Sequence, residues 1–211
     1  DAAEADGKYI LDDNKNKVYF KAGDMKFVDK DGNGEINEND RYIIGDPNPD
    51  IYGNISMRFH FGENWTLGAN FNYSLGNDIY NYERSVLESG NKFINQTTAM
   101  KRHWVAEGQV TDIPQATYQD PMGNSRFSDR WIEDGSYLKL KNVTLSYRVP
   151  VQNEYLQGIT IWAAANNLFT LSKYLGRDPE VSCQNGVLYQ GIDAGYLTSG
   201  RSFHLGVKIN L

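Results

Sequence analysis

Apolar and polar residues alternate without interruption over the last eleven residues of the chain, 201–211. Side chains of a β-strand point alternately to its two faces, so this pattern predicts one strand with an apolar and a polar face. Its length is also informative, because about 9–11 tilted residues carry a β-strand across a bilayer. The apolar face consists of Phe203, Leu205, Val207, Ile209 and Leu211.

Four further segments repeat this alternation, at 51–61, 65–75, 137–149 and 159–171. The first two are separated by Gly62-Glu63-Asn64, which is short enough for a tight hairpin turn. The 159–171 segment is partly apolar on both faces, so the pattern leaves its orientation open.

The 137–149 segment changes phase part-way along its length. Leu138 and Leu140 fall on the opposite phase from Val143 and the alternating residues that follow it. We therefore expect a β-bulge, or a stretch above the membrane, near Lys141.

The connections between these segments alternate in length. Short turns fall at 62–64 and 150–158, whereas 76–136 and 172–200 are long. Short periplasmic turns and longer extracellular loops are typical of outer-membrane β-barrels. In such a barrel the final strand runs inward and the 159–171 strand runs outward.

The 76–136 connection is too long to be structureless in a compact domain unless it is functional. Part of it, roughly 84–103, is expected to be helical. Residues 1–50 are predicted to form another extracellular loop, ahead of barrel strands and loops over 51–211.

Alternation of period two also occurs in β-sandwiches, where apolar side chains face a protein core instead of lipid. The aromatic residues favour a barrel, because they gather at the two strand ends like the aromatic belts of membrane proteins. One end has Phe61, Trp65 and Tyr147, and the other has Tyr73, Phe169 and Phe203. We predict an all-β fold, an antiparallel transmembrane β-barrel segment. Five strands do not close a membrane barrel, so they are expected to be about the last five of a larger one.

Composition narrows the classes of function. The net charge is −6 and no basic patch stands out, which argues against a nucleic-acid partner. A single cysteine, Cys183, allows no intrachain disulfide framework. No apolar run reaches 18 residues, and no signal peptide is recognisable. Residues 1–6 look like a cut into a polar loop, so we expect a mature fragment of something longer.

The segment 29–40 has the spacing of a calcium-binding loop. Its predicted ligands are carboxylates, an amide and the main-chain carbonyl of Glu35, and Asn37 is expected to act through water. Gly34 stands at the sharp turn, and Ile36 is expected to pin the loop to neighbouring structure. The predicted metal-binding residues are Asp29, Asp31, Asn33, Glu35 and Asp40.

An ordinary Asp/Asn/Gly turn, whose side chains cap their own backbone, is the alternative interpretation of this loop. Asp40 replaces the usual Glu at position 12 and its shorter side chain makes bidentate ligation harder, which predicts weak binding at about 10⁻⁴–10⁻³ M. The flanking helices of an EF-hand are not evident in the sequence. The predicted role of calcium is structural, namely to staple a surface loop.

Catalysis is not predicted. Three histidines, His60, His103 and His204, fall on separate elements. No nucleophile–base motif, phosphate-binding loop or two-histidine metal spacing is present in the sequence.

Several stretches resemble one family in order and spacing. They are Gly23-Asp24, 29–40, 43–50, 76–81, His103-Trp104, 128–145, 166–170, Tyr174, 178–180, 191–193, Gly195-Tyr196 and the final strand. The chain resembles the C-terminal part of a SusC-like TonB-dependent transporter of the Bacteroidetes outer membrane. One departure is the last residue, since the family commonly ends on Phe and this chain ends on Leu211.

This resemblance implies a plugged barrel of about 22 strands. It also implies a SusD-like surface lipoprotein that lids the barrel, and import powered by the TonB complex through a plug upstream of this chain. The other implied partners are the rest of the same barrel and the lipid of the cell outer membrane, which the chain crosses several times.

The leading function is therefore TonB-dependent import of a nutrient, an oligosaccharide or peptide. The alternative is a secreted or surface calcium-binding β-sandwich or adhesin without transport. The predicted lumen-facing residues, each a generic polar wall residue, are Arg58, His60, Asn70, Asn72, Arg148, Lys208 and Asn210. Loop aromatic residues that suit sugar stacking or the lid partner, with packing as the default, are Trp104, Tyr118, Trp131, Tyr174, Tyr189 and Tyr196.

Overall fold

Five long strands form one antiparallel sheet, and the chain also contains shorter strands, helical turns and loops. The structure is a computed structural model that describes residues 2–151, 158–180, 182–183 and 186–210. The strands are β1 Tyr9–Leu11, β2 Lys17–Tyr19, β3 Ile51–Phe61, β4 Trp65–Leu75, β5 Asp78–Asn81, β6 Ile132–Asp134, β7 Tyr137–Val149, β8 Gly158–Ser172, β9 Ile192–Asp193 and β10 Ser202–Asn210. The helices are α1 Ala2–Ala5 and α2 Tyr82–Leu87, with 3₁₀ turns at Glu38–Asp40, Thr98–Arg102, Asp129–Trp131 and Val187–Tyr189.

The large sheet has the strand order β3-β4-β7-β8-β10, and every neighbouring pair is antiparallel. The five predicted strands are confirmed: β3, β4 and β7 have the predicted bounds, and β8 is one residue longer at each end. The hairpin between β3 and β4 is also confirmed, and Gly62 adopts a φ of 60° there. Leu211 and residues 152–157 of the predicted second turn lie outside the described residues.

The predicted bulge is present at Lys141. Asn70 of β4 lies opposite Asn142, but the next residue, Phe71, lies opposite Leu140, so Lys141 is the extra residue of β7. One additional residue reverses the phase of a strand, because its side chains alternate with a period of two. Leu138 and Leu140 therefore share a face with Phe71, and the apolar face continues past the bulge.

The register settles the orientation of β8. Ile159, Ile161 and Ala163 lie opposite Val149, Tyr147 and Leu145, and thus belong to the apolar face. Trp162 consequently belongs to the polar face, where its ring lies against Gly206 of β10. A Cβ atom at Gly206 would stand 2.5 Å from the Trp162 ring, so only a glycine leaves room for it.

The apolar face of the sheet is open. On β10, Phe203 is 74% exposed and Leu205 is 85% exposed, and several apolar residues of β3 and β8 are exposed as well. A contiguous apolar surface of this kind suits lipid, whereas the inner face of a sandwich would be buried. Among the described residues, no helix has the length and apolar character needed to span a membrane.

Aromatic residues mark the two ends of this face. At the turn end, Phe61 lies opposite Trp65, and the Trp65 and Tyr147 rings stand 4.6 Å apart. At the other end the three predicted aromatic residues occupy a band of neighbouring rows. Tyr73 lies opposite Leu138, Phe169 opposite Leu140, and Phe203 opposite Ala165.

The long connections carry structure of their own. A small sheet has the order β6-β5-β9, so parts of 76–136 and of 172–200 form strands. Over roughly 84–103, helical structure is limited to the end of α2 and a 3₁₀ turn at Thr98–Arg102, which corrects the helix expected there. α2 ends at its C-cap Glu88, and Gly90 has a φ of 65° two residues later.

The chain divides into two compact units, Asp1–Ile44 with Asn81–Ile132, and Gly45–Tyr80 with Glu133–Leu211. The first unit has a small buried core of Ala3, Phe20 and Ile36, against which Phe27 packs. The second unit contains the five-stranded sheet. A domain boundary at residue 50 stays a prediction.

Candidate functional site

The loop 29–40 brings three of its predicted calcium ligands together. Carboxylate oxygens of Asp29, Asp31 and Asp40 all lie within 4.8 Å of one another. Such a spacing is compatible with shared ligation of one cation, since calcium takes oxygen ligands at about 2.3–2.6 Å. The Glu35 carboxylate is not in this cluster, as expected for a residue predicted to offer its main-chain carbonyl.

Backbone amides position the first predicted ligand, Asp29. Its Oδ1 accepts a hydrogen bond from Gly32 N (2.8 Å) and its Oδ2 accepts one from Gly34 N (2.9 Å). Partial burial raises the pKa of Asp29, but the Gly34 and Gly32 amides and the charge of Lys8 outweigh it and lower the pKa. Asp29 is therefore ionised at neutral pH. Both glycines have positive φ, of 75° and 83°, which L-residues with side chains seldom adopt.

Asp40 closes the loop. Its Oδ1 accepts a hydrogen bond from Lys30 N and its Oδ2 accepts one from Asn37 N, each at 2.8 Å. It is thereby the third residue of a capping box around the Glu38–Asp40 turn, in which Asn37 is the N-cap. The turn interpretation thus describes Asp40 correctly, and each carboxylate oxygen retains a lone pair for a cation.

The side chains of Asp31 and Asn33, two further predicted ligands, already take part in hydrogen bonds within the loop. Asn33 Oδ1 accepts a hydrogen bond from Glu35 N (2.6 Å), and Asn33 Nδ2 donates to Asp31 Oδ2 (2.8 Å). Ile36 is buried against Ala3 and Phe20, which confirms that it anchors the loop. A cation in this loop would have a preformed, anchored setting.

The polar face of the five-stranded sheet carries a row of amide and hydroxyl groups across all its strands. The Ser56 hydroxyl donates to Asn70, Asn142 Nδ2 donates to Asn166 Oδ1 (2.7 Å), and Asn166 Nδ2 donates to Ser202 Oγ (3.0 Å). These five residues form what we call the amide row. Its groups largely satisfy one another, which holds neighbouring strands in register.

Beside the amide row lies a groove of about 580 Å³, here termed the polar-face groove. Its charged or titratable lining residues are Arg58 and His60, and His60 Nδ1 lies 3.1 Å from Thr66 Oγ1. Other lining residues include Asn70, Asn142 and Thr144.

The register places the predicted lumen-facing residues on one face. Arg58, His60 and Asn70 line the groove. Asn72 accepts a hydrogen bond from Asn54, and Arg148 and Lys208 both lie opposite Thr160. Asn210 lies opposite Gly158 at the end of the sheet.

A buried ion-pair cluster joins β7 to the 172–200 loop, and the sequence did not point to it. Lys139 Nζ lies 2.6 Å from Asp178 Oδ2 and 2.9 Å from Glu180 Oε2, and Lys141 Nζ lies 2.6 Å from the same Glu180 oxygen. The only available signal was a pair of lysines flanking the predicted bulge with an Asp-Pro-Glu in the next long loop. We call this cluster the loop clamp.

The loop aromatic residues divide between packing and exposure. Trp131 is fully buried, with the Arg84 and Arg130 guanidinium groups 5.5 Å and 4.5 Å from its ring. Tyr174 is also buried, and its hydroxyl donates to Asp193 (2.7 Å). Tyr118 is exposed and stacks on Phe93 with the ring centroids 5.0 Å apart.

Comparison with known proteins identifies relatives along almost the whole chain. TonB-dependent receptor P3 of Formosa agariphila is 32% identical over 195 residues, which are 89% of this chain and 19% of that protein. TonB-dependent receptor SusC of Bacteroides thetaiotaomicron is 29% identical over 209 residues, 92% of this chain and 18% of SusC. Over almost its whole length, the chain is similar to TonB-dependent receptors, SusC among them. It spans about a fifth of the length of these relatives. No family model matches it.

Solved structures agree with this SusC-like fold. The RagAB peptide importer in its closed-closed state aligns with a TM-score of 0.67 and 23% identity, over 96% of this chain and 21% of that one. The open-open state aligns with a TM-score of 0.66 and 22% identity, over 97% and 21%. The five-stranded sheet is therefore a segment of a TonB-dependent receptor β-barrel. The relatives are named as receptors, which accords with the prediction that the chain is not an enzyme.

Proposed function

We propose that the chain forms part of the wall and outer loops of an outer-membrane receptor that imports a nutrient, an oligosaccharide or peptide, with energy from the TonB complex. The observation that supports this most is the five-stranded sheet with an open apolar face and a hydrogen-bonded polar face. Lipid would contact the first face and the transport route the second. The kinship with SusC-like receptors supports the same function.

A SusD-like surface lipoprotein is the proposed partner, as the family resemblance implies. The outer loops, including the 172–200 segment held by the loop clamp, would form the surface that this partner covers. The rest of the same barrel would supply the neighbours of β3 and β10.

Uptake by the native bacterium tests this proposal. A strain without the full-length receptor should lose import of its nutrient, and a complementing gene should restore it only while TonB is present. A tagged receptor should co-purify with a surface lipoprotein, and a tagged outer-membrane protein of another class should not. Import that persists without TonB would contradict the proposal.

Calcium is the proposed structural ion of the 29–40 loop, with Asp29, Asp31, Asn33, the Glu35 carbonyl and Asp40 as its ligands. Support comes from the three convergent carboxylates and from the anchored, glycine-shaped loop. The ion would staple an outer loop, and it would take no part in transport chemistry.

The test compares thermal unfolding of the full-length receptor in millimolar calcium and in chelator. Asp29→Asn with Asp31→Asn should abolish the calcium-dependent rise in unfolding temperature. Asp12→Asn is a matched control, because Asp12 also caps backbone amides in an exposed turn but lies outside the cluster. An equal calcium effect in the double variant would place the ion elsewhere.

A further inference from the structure

Negatively charged residues are absent from the five strands of the large sheet, whereas positively charged residues occur there. The chain has 27 Asp and Glu residues, and none of them falls within the five strands of the large sheet. Lipid contact explains why the apolar face lacks charge. Lipid contact does not explain the polar face, whose strand residues include arginine, lysine and histidine but no aspartate or glutamate.

On the polar face, Lys139 lies opposite Asn72 and pairs with loop carboxylates in the loop clamp, whereas the other basic residues lie closer to the β3–β4 turn. Arg58 and His60 line the polar-face groove. Arg148 lies further towards the β3–β4 turn, where its backbone N–H donates to Asn64 O, and Lys208 lies two strands away in the same row. Arg58, Arg148 and Lys208 are thus basic residues of the polar face that lie apart from the loop clamp.

These cations have no anionic counterpart in the part of the chain that the structure describes. The side chains of Arg58, Arg148 and Lys208 are exposed, and none of them forms an ion pair with a described residue. The neutral side chains beside them differ, because the amide row satisfies much of its own hydrogen bonding. Among the described residues that line the groove, none carries a carboxylate.

We propose that the polar-face groove binds the acidic groups of the imported substrate, with the Arg58 guanidinium as the principal contact. The proposal rests on the import function above and adds that the substrate bears carboxylates. Charge complementarity selects an anion, because a guanidinium offers five donors in a planar fork that matches a carboxylate. The groove volume of about 580 Å³ is within the range of small-ligand sites.

The neighbouring groups suit this role. His60 and Thr66 form a hydrogen-bonding pair in the next row of the polar face, and Thr144 lies in the same row as Arg58, across Gly68. Arg148 and Lys208 continue the positive charge towards the turn end, which the topology places at the periplasm. Fixed charges of one sign raise the local concentration of the opposite ion.

Binding to the purified full-length receptor tests the proposal. The probes are two matched pairs, a tetragalacturonate with its methyl ester and a tetraglutamate with tetraglutamine. In calorimetry at low salt, one acidic probe should bind at least about tenfold more tightly than its neutral partner, and 0.5 M salt should remove most of that difference. The pair that shows the effect identifies whether the carboxylates belong to a sugar or a peptide.

Arg58→Gln should weaken binding of the acidic probe about tenfold and leave the neutral probe unchanged. Arg102→Gln is the matched control, because Arg102 is exposed but lies on a 3₁₀ turn of the other unit. Equal behaviour of the two variants would overturn the proposal. So would an Arg58→Gln receptor that unfolds at a lower temperature but binds both probes normally, since Arg58 would then pair with a carboxylate of the receptor itself.

Failure of the groove proposal can be distinguished from failure of the proposed import function. TonB-dependent import of an uncharged nutrient would overturn the anionic groove and leave the import function standing. Loss of TonB dependence, with selective acid binding retained, would overturn the import function and leave the anionic groove standing.

Discussion

Lys139 Nζ lies 2.6 Å from Asp178 Oδ2, and the two side chains are only 3% and 9% exposed. This ion pair connects a strand of the barrel wall to the loop that follows the next strand. The Lys141 bulge brings a second lysine to the same loop, where both contact Glu180. Ion pairs of Asp178 and Glu180, in the first third of the 172–200 loop, thus hold this loop against β7.

Lys139→Met should destabilise the full-length receptor by about 3–5 kcal/mol, because it leaves the buried Asp178 carboxylate without its cation. The measurement is urea unfolding in detergent, together with the rate of proteolytic cleavage within the 172–200 loop. Lys141→Met is the control: it removes a more exposed lysine, about 31% exposed, and should cost less than about 1 kcal/mol. Similar losses in both variants would contradict the assigned role of Lys139.

The clamp should also depend on pH in a defined direction. Burial raises the pKa of Glu180, but hydrogen bonds from Lys141 and Lys139 outweigh it and hold the pKa below its ordinary value of 4.5. A carboxyl with a lowered pKa in the folded state stabilises the fold above its unfolded pKa, and this contribution is lost as pH falls through the folded value. The stability difference between wild type and Glu180→Gln should be constant above about pH 5 and shrink below pH 4.5. A difference that changes near neutral pH would argue for another group.

Alanine substitutions at two glycines of the polar face should change stability in opposite directions. Gly206→Ala places a Cβ atom 2.5 Å from the Trp162 ring, so the ring must move and stability should fall by about 1–3 kcal/mol. Gly68→Ala meets only the Thr144 carbonyl oxygen, at 3.9 Å, and should gain about 0.5–1 kcal/mol from the reduced freedom of the unfolded chain. Urea midpoints of the two variants, measured side by side, check the signs.

Adjacent residues of β10 should distinguish the lipid face from the lumen face. Leu205→Arg puts a charge on the exposed apolar face near mid-strand, and should cost about 2–4 kcal/mol in a lipid-embedded receptor. His204→Arg adds a similar side chain to the polar face and should be close to neutral. Refolding into vesicles at graded urea measures both, and a larger loss for His204→Arg would reverse the assignment of faces.

The strands were predictable because two different surroundings act on alternate residues. A one-residue slip would exchange the lipid and lumen faces, so the sequence must keep strict alternation, as it does along 51–61 and 65–75. The break of phase at Leu140 was visible for the same reason and indicated the bulge at Lys141. For β8, whose two faces are both partly apolar, only the pairing with β7 decided the orientation.

The candidate sites were predictable only where their contacts are local. Asp29, Asp31 and Asp40 lie within twelve residues, so their spacing alone predicted that they converge. The alternative interpretation of the loop anticipated capping of its own backbone, but the specific capping box of Asn37 and Asp40 depends on the dihedral angles of a 3₁₀ turn. Lys139 and Asp178 are 39 residues apart, and no periodic pattern in the sequence relates a strand to a loop at that distance.

Each outermost strand of the described sheet, β3 on one side and β10 on the other, has a neighbour on one side only. Its outward N–H and C=O groups cannot be hydrated inside a bilayer, where each unsatisfied group costs several kcal/mol. The segment therefore cannot enter the membrane first and recruit its neighbours afterwards. Insertion of this wall into the membrane must therefore be coupled to strand pairing, so that β3 and β10 gain their outer neighbours as they enter the bilayer.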